Sequence, residues 1–325
     1  MTSSSVNVFN EIRAACNAVA NDARHVRIAS EALPDVVARL CATELDFPAL
    51  DTTSHVVGTP VETAAFFLTL AAVNFGSGYF PRLRKRPGRS GYYTIAAALK
   101  ERFDAQGPIP PSELATVTDA ECAVLFGQDR TDPVIAELMG KFAASWNDLG
   151  RDVIARADGD VIRYLAAAEG RADRLVRRLS EQPLFYDVQH YHGREVPFFK
   201  RAQLLASDLA LAMNGQGVGR YEDLDQLTIF ADNLVPHVLR LEGVLEYDRD
   251  LLDAIESERL IPAGSDEEVE IRACSVHAVE QLIDAGKAMG LDWTARDVDQ
   301  LLWHLGQTGD YKIRGKRHRT RTVFY

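Results

Sequence analysis

The chain has 325 residues, 46% hydrophobic and 26% charged, with a formal net charge of −11. That length buries a sizeable core, as one globular domain or as two packed helical lobes, roughly 1–180 and 181–325. The acidic balance opposes a surface built to neutralise a long phosphate backbone, while leaving room for one local basic pocket and a small anionic ligand. No apolar run approaches the ~20 residues that span a bilayer. The longest, Ala64 to Val73, is interrupted by Thr69. Met1-Thr2-Ser3-Ser4-Ser5 lacks the basic patch and apolar core of a signal peptide, so a cytoplasmic protein is expected. Cys16, Cys41, Cys122 and Cys274 are scattered without a Cys-x-x-Cys pair. They read as free thiols in a reducing compartment, and zinc is disfavoured.

In chain order, Val8, Ile12, Ala15, Cys16 and Val19, then Val36, Val37 and Leu40, recur at helical spacing and predict two amphipathic helices. Thr59-Pro60-Val61-Glu62 combines an N-cap threonine, a first-turn proline and a capping-box glutamate. The helix it opens is apolar on every side through Val73 and is expected to be enclosed. Asn74-Phe75-Gly76-Ser77-Gly78-Tyr79 ends it. Asn74 is either a C-cap or an amide for a base edge; Phe75 either fills the core or stacks on a flat ligand.

Arg82, Arg84, Lys85, Arg86 and Arg89 follow, a basic loop that is either simply solvated or attracts a phosphorylated ligand. Ser90-Gly91-Tyr92-Tyr93 starts a helix carrying Ile95, Leu99 and Phe103, and Gly107-Pro108 breaks the chain. Thr118-Asp119-Ala120-Glu121 is another capping box, after which helical stripes run through Phe142, Leu149, Leu165 and Leu179. Leu184 to Phe198 reads as strand, with His192-Gly193 as a hairpin turn.

The next helix opens at Phe199-Lys200-Arg201. Ala202, Leu205, Leu209 and Ala212 form its apolar face, with Lys200, Leu204 and Asp208 on a neighbouring one. At 1.5 Å per residue, Lys200 and Asp208 stand about 12 Å apart along the axis. They are too far apart to neutralise each other and suitably spaced to hold two ends of one small ligand. The plain alternative is a solvated helix start. Asn214 to Gly219 resembles a phosphate-cradling loop but follows a helix, and is read as a C-cap and linker.

Asp232 is an N-cap candidate ahead of a helix ending near Gly243. Ser265-Asp266-Glu267-Glu268 caps a helix that turns Val269, Ala273, Val276 and Ile283 inward. Glu270, Cys274 and His277 lie beside that stripe as a polar border. A last helix runs through Val298, Leu301, Leu302 and Leu305. The basic tail Lys312 to Thr322 ends in Val323-Phe324-Tyr325, which is expected to pack back on the body.

Five of these segments together resemble one family. They are Val73-Asn74-Phe75, Ser90-Gly91-Tyr92, Phe199-Lys200-Arg201-Ala202-Gln203, Phe230-Ala231-Asp232, and Glu268-Val269-Glu270-Ile271-Arg272-x-Cys274-Ser275. In this order, from about residue 60 to Tyr325, they are similar to the queuosine salvage proteins, queuosine 5′-phosphate N-glycosylases. The resemblance implies a mainly α fold with a small β-hairpin, akin to the helix-hairpin-helix DNA glycosylases. It also implies cleavage of the ribose C1′–base bond to release queuine and ribose 5-phosphate, with no metal or organic cofactor.

It implies catalytic roles for Asp232, against C1′, and Lys200, which with Arg201 would meet the 5′-phosphate. Asp208 and Asn74 would read the base edge, and Phe75 and Tyr92 would enclose the ring; the roles of Asp208 and Asp232 are exchangeable on this reading. A monomer is expected, without membrane or polymeric nucleic-acid partners. His277 stands where some relatives carry an aromatic residue, and the Arg82 to Arg89 loop is richer in arginine than the family pattern. Two alternatives are a helix-hairpin-helix glycosylase acting on polymeric nucleic acid and a non-catalytic queuine-binding protein.

Overall fold

Helices make up most of the protein in the computed structural model, which describes residues 7–43 and 50–325. Met1 to Ser5 lie outside the described residues. The elements are α1 (Val8–Asp22), β1 (Val26–Ile28), α2 (Leu33–Ala42), α3 (Pro60–Val73), α4 (Gly91–Gln106), α5 (Pro111–Leu114), α6 (Asp119–Phe126) and α7 (Pro133–Ala157). They continue with α8 (Val161–Ala166), α9 (Ala172–Ser180), β2 (Val188–Tyr191), β3 (Arg194–Pro197), α10 (Lys200–Ala212), α11 (Val235–Leu241) and β4 (Leu245–Tyr247). The last four are α12 (Arg249–Glu256), α13 (Asp266–Ala288), α14 (Ala295–Leu305) and α15 (Gly309–Ile313). No helix among the described residues is long and apolar enough to cross a membrane.

The contacts divide the chain into two units. The first comprises the described residues up to 43, Asp187–Lys200 and Asp225–Arg321; the second comprises 50–186, Arg201–Leu224 and Thr322–Tyr325. Both are assembled from segments distant in sequence.

In the first unit α13 is the hub, packed against α1, α2, α11, α14 and the strands β1, β2 and β4. Its start follows from local chemistry. The Ser265 hydroxyl accepts from the Glu268 N–H, and three acidic residues in the first turn complement the helix dipole. β2 and β3 form the expected hairpin, in which Tyr191 pairs with Arg194. His192 and Gly193 both take positive φ, as a two-residue turn matched to strand twist requires. The antiparallel pair β1–β4 was not anticipated, because three-residue strands carry too little periodicity to be seen.

In the second unit, α7 packs on α3, α5, α6 and α8. Every residue of α3 from Thr63 to Val73 is buried, as its all-round apolar pattern predicts. The Trp146 indole donates to the Thr69 carbonyl at 2.9 Å and the Ser145 hydroxyl to the Ala72 carbonyl at 2.6 Å, fixing α7 on α3. Asn214 and Gly215 end α10 with positive φ, and the Gly215 N–H reaches the Ala210 carbonyl, which is a C-cap.

The basic tail packs back as expected. His318, Thr320 and Tyr325 are buried, and the Arg319 carbonyl accepts from the Ile261 N–H at 2.8 Å.

Glu270 ties α13 to its surroundings. Its Oε2 accepts from the N–H groups of Arg24 (3.0 Å), His25 (2.6 Å) and Val26 (3.1 Å), and its Oε1 from the Tyr191 hydroxyl (2.8 Å). These four bonds occupy the carboxylate that the sequence placed on a polar border. An amide at this fully buried position replaces one acceptor with a donor facing donors. Glu270→Gln is therefore expected to lower unfolding stability by about 2–4 kcal/mol, read from the midpoint of urea denaturation.

Candidate functional site

In the first unit the start of α10 is built by Asp187. Its main-chain carbonyl accepts from Phe198 (2.9 Å) and Phe199 (3.4 Å), and its Oδ2 from the Lys200 N–H (3.1 Å). Phe199 has φ of +47°, a left-handed conformation that costs a bulky side chain about 1–3 kcal/mol. The Asp187 bonds hold it there, and Lys200 follows as the first residue of α10, its side chain buried.

Arg272, fully buried on α13, holds Asp187 in turn. The guanidinium forks onto both carboxylate oxygens at 2.9 and 2.7 Å, lies 3.6 Å from Glu268, and stacks 3.9 Å from the centre of the Phe198 ring. Its Nε donates to the Ala231 carbonyl at 3.1 Å. Asp232 comes next in the chain. It is half-buried, and its Oδ1 accepts from the N–H groups of Leu234 (2.7 Å) and Val235 (3.0 Å) at the start of α11. The N-cap position of α11 is Leu234, not Asp232 as expected; Asp232 sits two residues earlier and reaches forward, with both bonds on one oxygen. Arg317 adds a cation: burial lowers its pKa, and the charge of Asp232 opposes that fall. Sequence reading missed it, because within a basic tail one arginine carries no distinguishing signal.

The second unit holds the other candidates. Ser90 caps α4 by accepting from the Tyr93 N–H, placing Tyr92 in the first turn. The Tyr92 hydroxyl lies 2.7 Å from His55 Nε2, and His55 Nδ1 lies 2.9 Å from the Asp51 carbonyl. A carbonyl only accepts, so Nδ1 carries the proton and Tyr92 donates to Nε2. Burial pulls the His55 pKa down and keeps the ring neutral; enclosure and the nearby charge of Asp208 push the Tyr92 phenol well above its usual value. Tyr92 and Asp208 are thus electrostatic neighbours. His55 was not anticipated, because its segment has no periodic pattern.

Asn74 is half-buried and is the C-cap of α3, while Phe75 is buried edge-on against Phe142, with ring centroids 5.0 Å apart. Arg201 is buried between the rings of Phe75 (4.8 Å) and Phe185 (4.3 Å). It donates to the carbonyls of Ala71 (3.0 Å), Ala72 (2.7 Å) and Leu184. Its guanidinium closes the end of α3, a setting different from the phosphate contact expected of it. The Tyr325 carbonyl accepts from Gly76 (2.9 Å) and Ser77 (3.4 Å) at the same corner. In the basic loop, Arg82 pairs with Asp132, Arg86 with Glu101, and Arg89 donates to Ser54 and Thr53. Three of the loop's five cations are therefore engaged by neighbouring side chains at the surface.

The family model described as queuosine salvage protein matches residues 54–325. The chain belongs to this family. It is similar to the queuosine 5′-phosphate N-glycosylase/hydrolase of Sphaerobacter thermophilus, 35% identical over 315 residues that cover 94% of this chain and 95% of the relative. The protein of the same name from Dictyostelium discoideum is 32% identical over 81% of this chain and 78% of its own length. The one from Mus musculus is 28% identical over 73% and 72%.

The tail's His318 is fully enclosed, and burial, reinforced by Arg272, His237 and Arg240, pushes its pKa from 6.5 down to about 3. The folded state then binds fewer protons than the unfolded one below pH 6.5, so His318 costs stability as pH falls from 6.5 towards about 3. Denaturant titrations across that window should give a shallower acid-side slope for His318→Gln than for the unsubstituted protein; equal slopes would remove His318 as a source of acid sensitivity.

Proposed function

We propose that this protein hydrolyses the N-glycosidic bond of queuosine 5′-phosphate, releasing queuine and ribose 5-phosphate, and does so as a cytoplasmic monomer. The observation that carries the reading is Asp232, a half-buried carboxylate oriented through one oxygen by two backbone N–H groups, in a chain whose relatives bear that enzyme's name.

Breaking this bond develops positive charge on the sugar. Asp232, against C1′, stabilises that charge and either captures the sugar or activates water. A 7-deazapurine has carbon where a purine has N7, so leaving-group protonation at that atom is closed. Help must come from hydrogen bonds to the remaining ring atoms. Asp208 accepts from the guanine-like N1–H and amino group, Asn74 binds another part of the edge, and Tyr92 lies against the ring. Phe75, in full contact with Phe142 and Arg201, supports that ring contact from behind. Lys200 binds the 5′-phosphate as a point charge at the start of α10. Arg201 is left out of the phosphate group, because its donors are engaged by carbonyls.

Incubation of the purified protein with queuosine 5′-phosphate, queuosine, GMP and queuosine-containing tRNA, followed by chromatography, should show free queuine from the 5′-phosphate; none released would reject the reading. Asp232→Asn should lower kcat at least about 100-fold while unfolding remains cooperative. Lys200→Ala should raise KM for the 5′-phosphate about 10- to 100-fold and change it far less for the nucleoside, the loss expected of one charge-assisted contact. An equal effect on both substrates would remove its phosphate role.

A further inference from the structure

We propose that Arg272 is a positioning residue for glycosidic-bond cleavage: by holding the Ala231 carbonyl and, through Asp187, the start of α10, it fixes the Asp232 carboxylate relative to Lys200. This rests on the reading of Asp232 given above. The segment Phe230–Asp232 lies outside any helix or strand, yet each of its residues is anchored. The Phe230 N–H donates to Asp299 at 2.8 Å, the Ala231 carbonyl accepts from Arg272 Nε at 3.1 Å, and Asp232 Oδ1 takes two N–H groups of α11. The other end of the Arg272 fork holds Asp187, whose Oδ2 accepts from the Lys200 N–H. One planar side chain therefore links the two segments assigned to the sugar and the phosphate.

Stability alone does not account for this choice. A buried ion pair is commonly replaced by apolar residues of similar volume with no loss of stability. What an apolar side chain cannot supply is three directed donors in one plane, and neither can lysine.

The test is a cycle on the full-length protein with queuosine 5′-phosphate, in steady state and in single turnover with enzyme in excess. Arg272→Lys keeps a cation beside Asp187 and gives up the fork and the Nε donor. It should lower kcat about 100-fold with KM altered less than about threefold and cooperative unfolding retained. In an Asp232→Asn background the same substitution should slow the residual rate by less than about threefold, since the group it positions is already lost. A merely structural role predicts equal factors in both backgrounds, and that result, or near-normal kcat in Arg272→Lys, overturns the proposal.

Should Arg272→Lys not fold, Asp187→Asn, which leaves Arg272 in place and loosens its fork, enters the same cycle with the same deciding outcomes. Failure of both to fold would assign the cluster to folding and end the positioning role. Normal turnover by Asp232→Asn alone would reject the Asp232 reading and this proposal together, whereas an inactive Asp232→Asn beside a normal Arg272→Lys would reject only the positioning role.

Discussion

The buried ion pair between Arg272 and Asp187 is the constraint on which the first unit depends. Removing two charges from water costs several kcal/mol per ion, and the pair holds only because its remaining donors and acceptors are filled. Arg272 fills them with the Ala231 carbonyl and the Phe198 ring face; the Asp187 carboxylate fills them with the Lys200 N–H at the start of α10. Because the cost falls on any arrangement that leaves a partner unmatched, residues 187, 231 and 272 are locked together despite lying 41 to 85 positions apart. Glu270, two residues earlier on α13, does the same for the segment before β1. Both acts rest on one helix.

Much of the fold was legible because much of it is local. Thr59, Thr118 and Ser265 cap helices from their own sequence neighbourhood, and His192-Gly193 turns the hairpin through conformations those residues tolerate. The strands β1 and β4 were not legible, since 216 residues of chain separate them and neither three-residue strand carries a pattern of its own. His55 and Arg317 were missed for a related reason. Their significance lies in what they face, the Tyr92 hydroxyl in one case and the Asp232 charge in the other.

Lys200 and Arg201 show how far residue type leads when geometry is absent. Two adjacent cations invited one assignment, but successive helical residues point about 100° apart. Arg201 spends a flat, delocalised guanidinium between two aromatic rings and on carbonyls at the end of α3, a setting suited to that shape. Lys200 has a compact ammonium with no such shape to satisfy. On the proposed reaction the phosphate contact therefore falls to Lys200, while Arg201 braces the end of α3.

The same logic bears on the proposed roles of the two carboxylates that the sequence left exchangeable. Asp232 is seated at a helix start, with one oxygen fixed by N–H groups and its preceding carbonyl held by Arg272, an arrangement that restrains a carboxylate against motion. Asp208 lies instead along the half-buried face of α10, within electrostatic range of the Tyr92 phenol, whose pKa is raised by burial and by the Asp208 charge itself. A carboxylate only accepts, which suits a guanine-like edge that presents N–H donors. Stabilising charge that develops at one atom calls for the restrained carboxylate; recognising an edge calls for the accepting one. On the proposed reaction, Asp232 is therefore the better group for C1′ and Asp208 for the base.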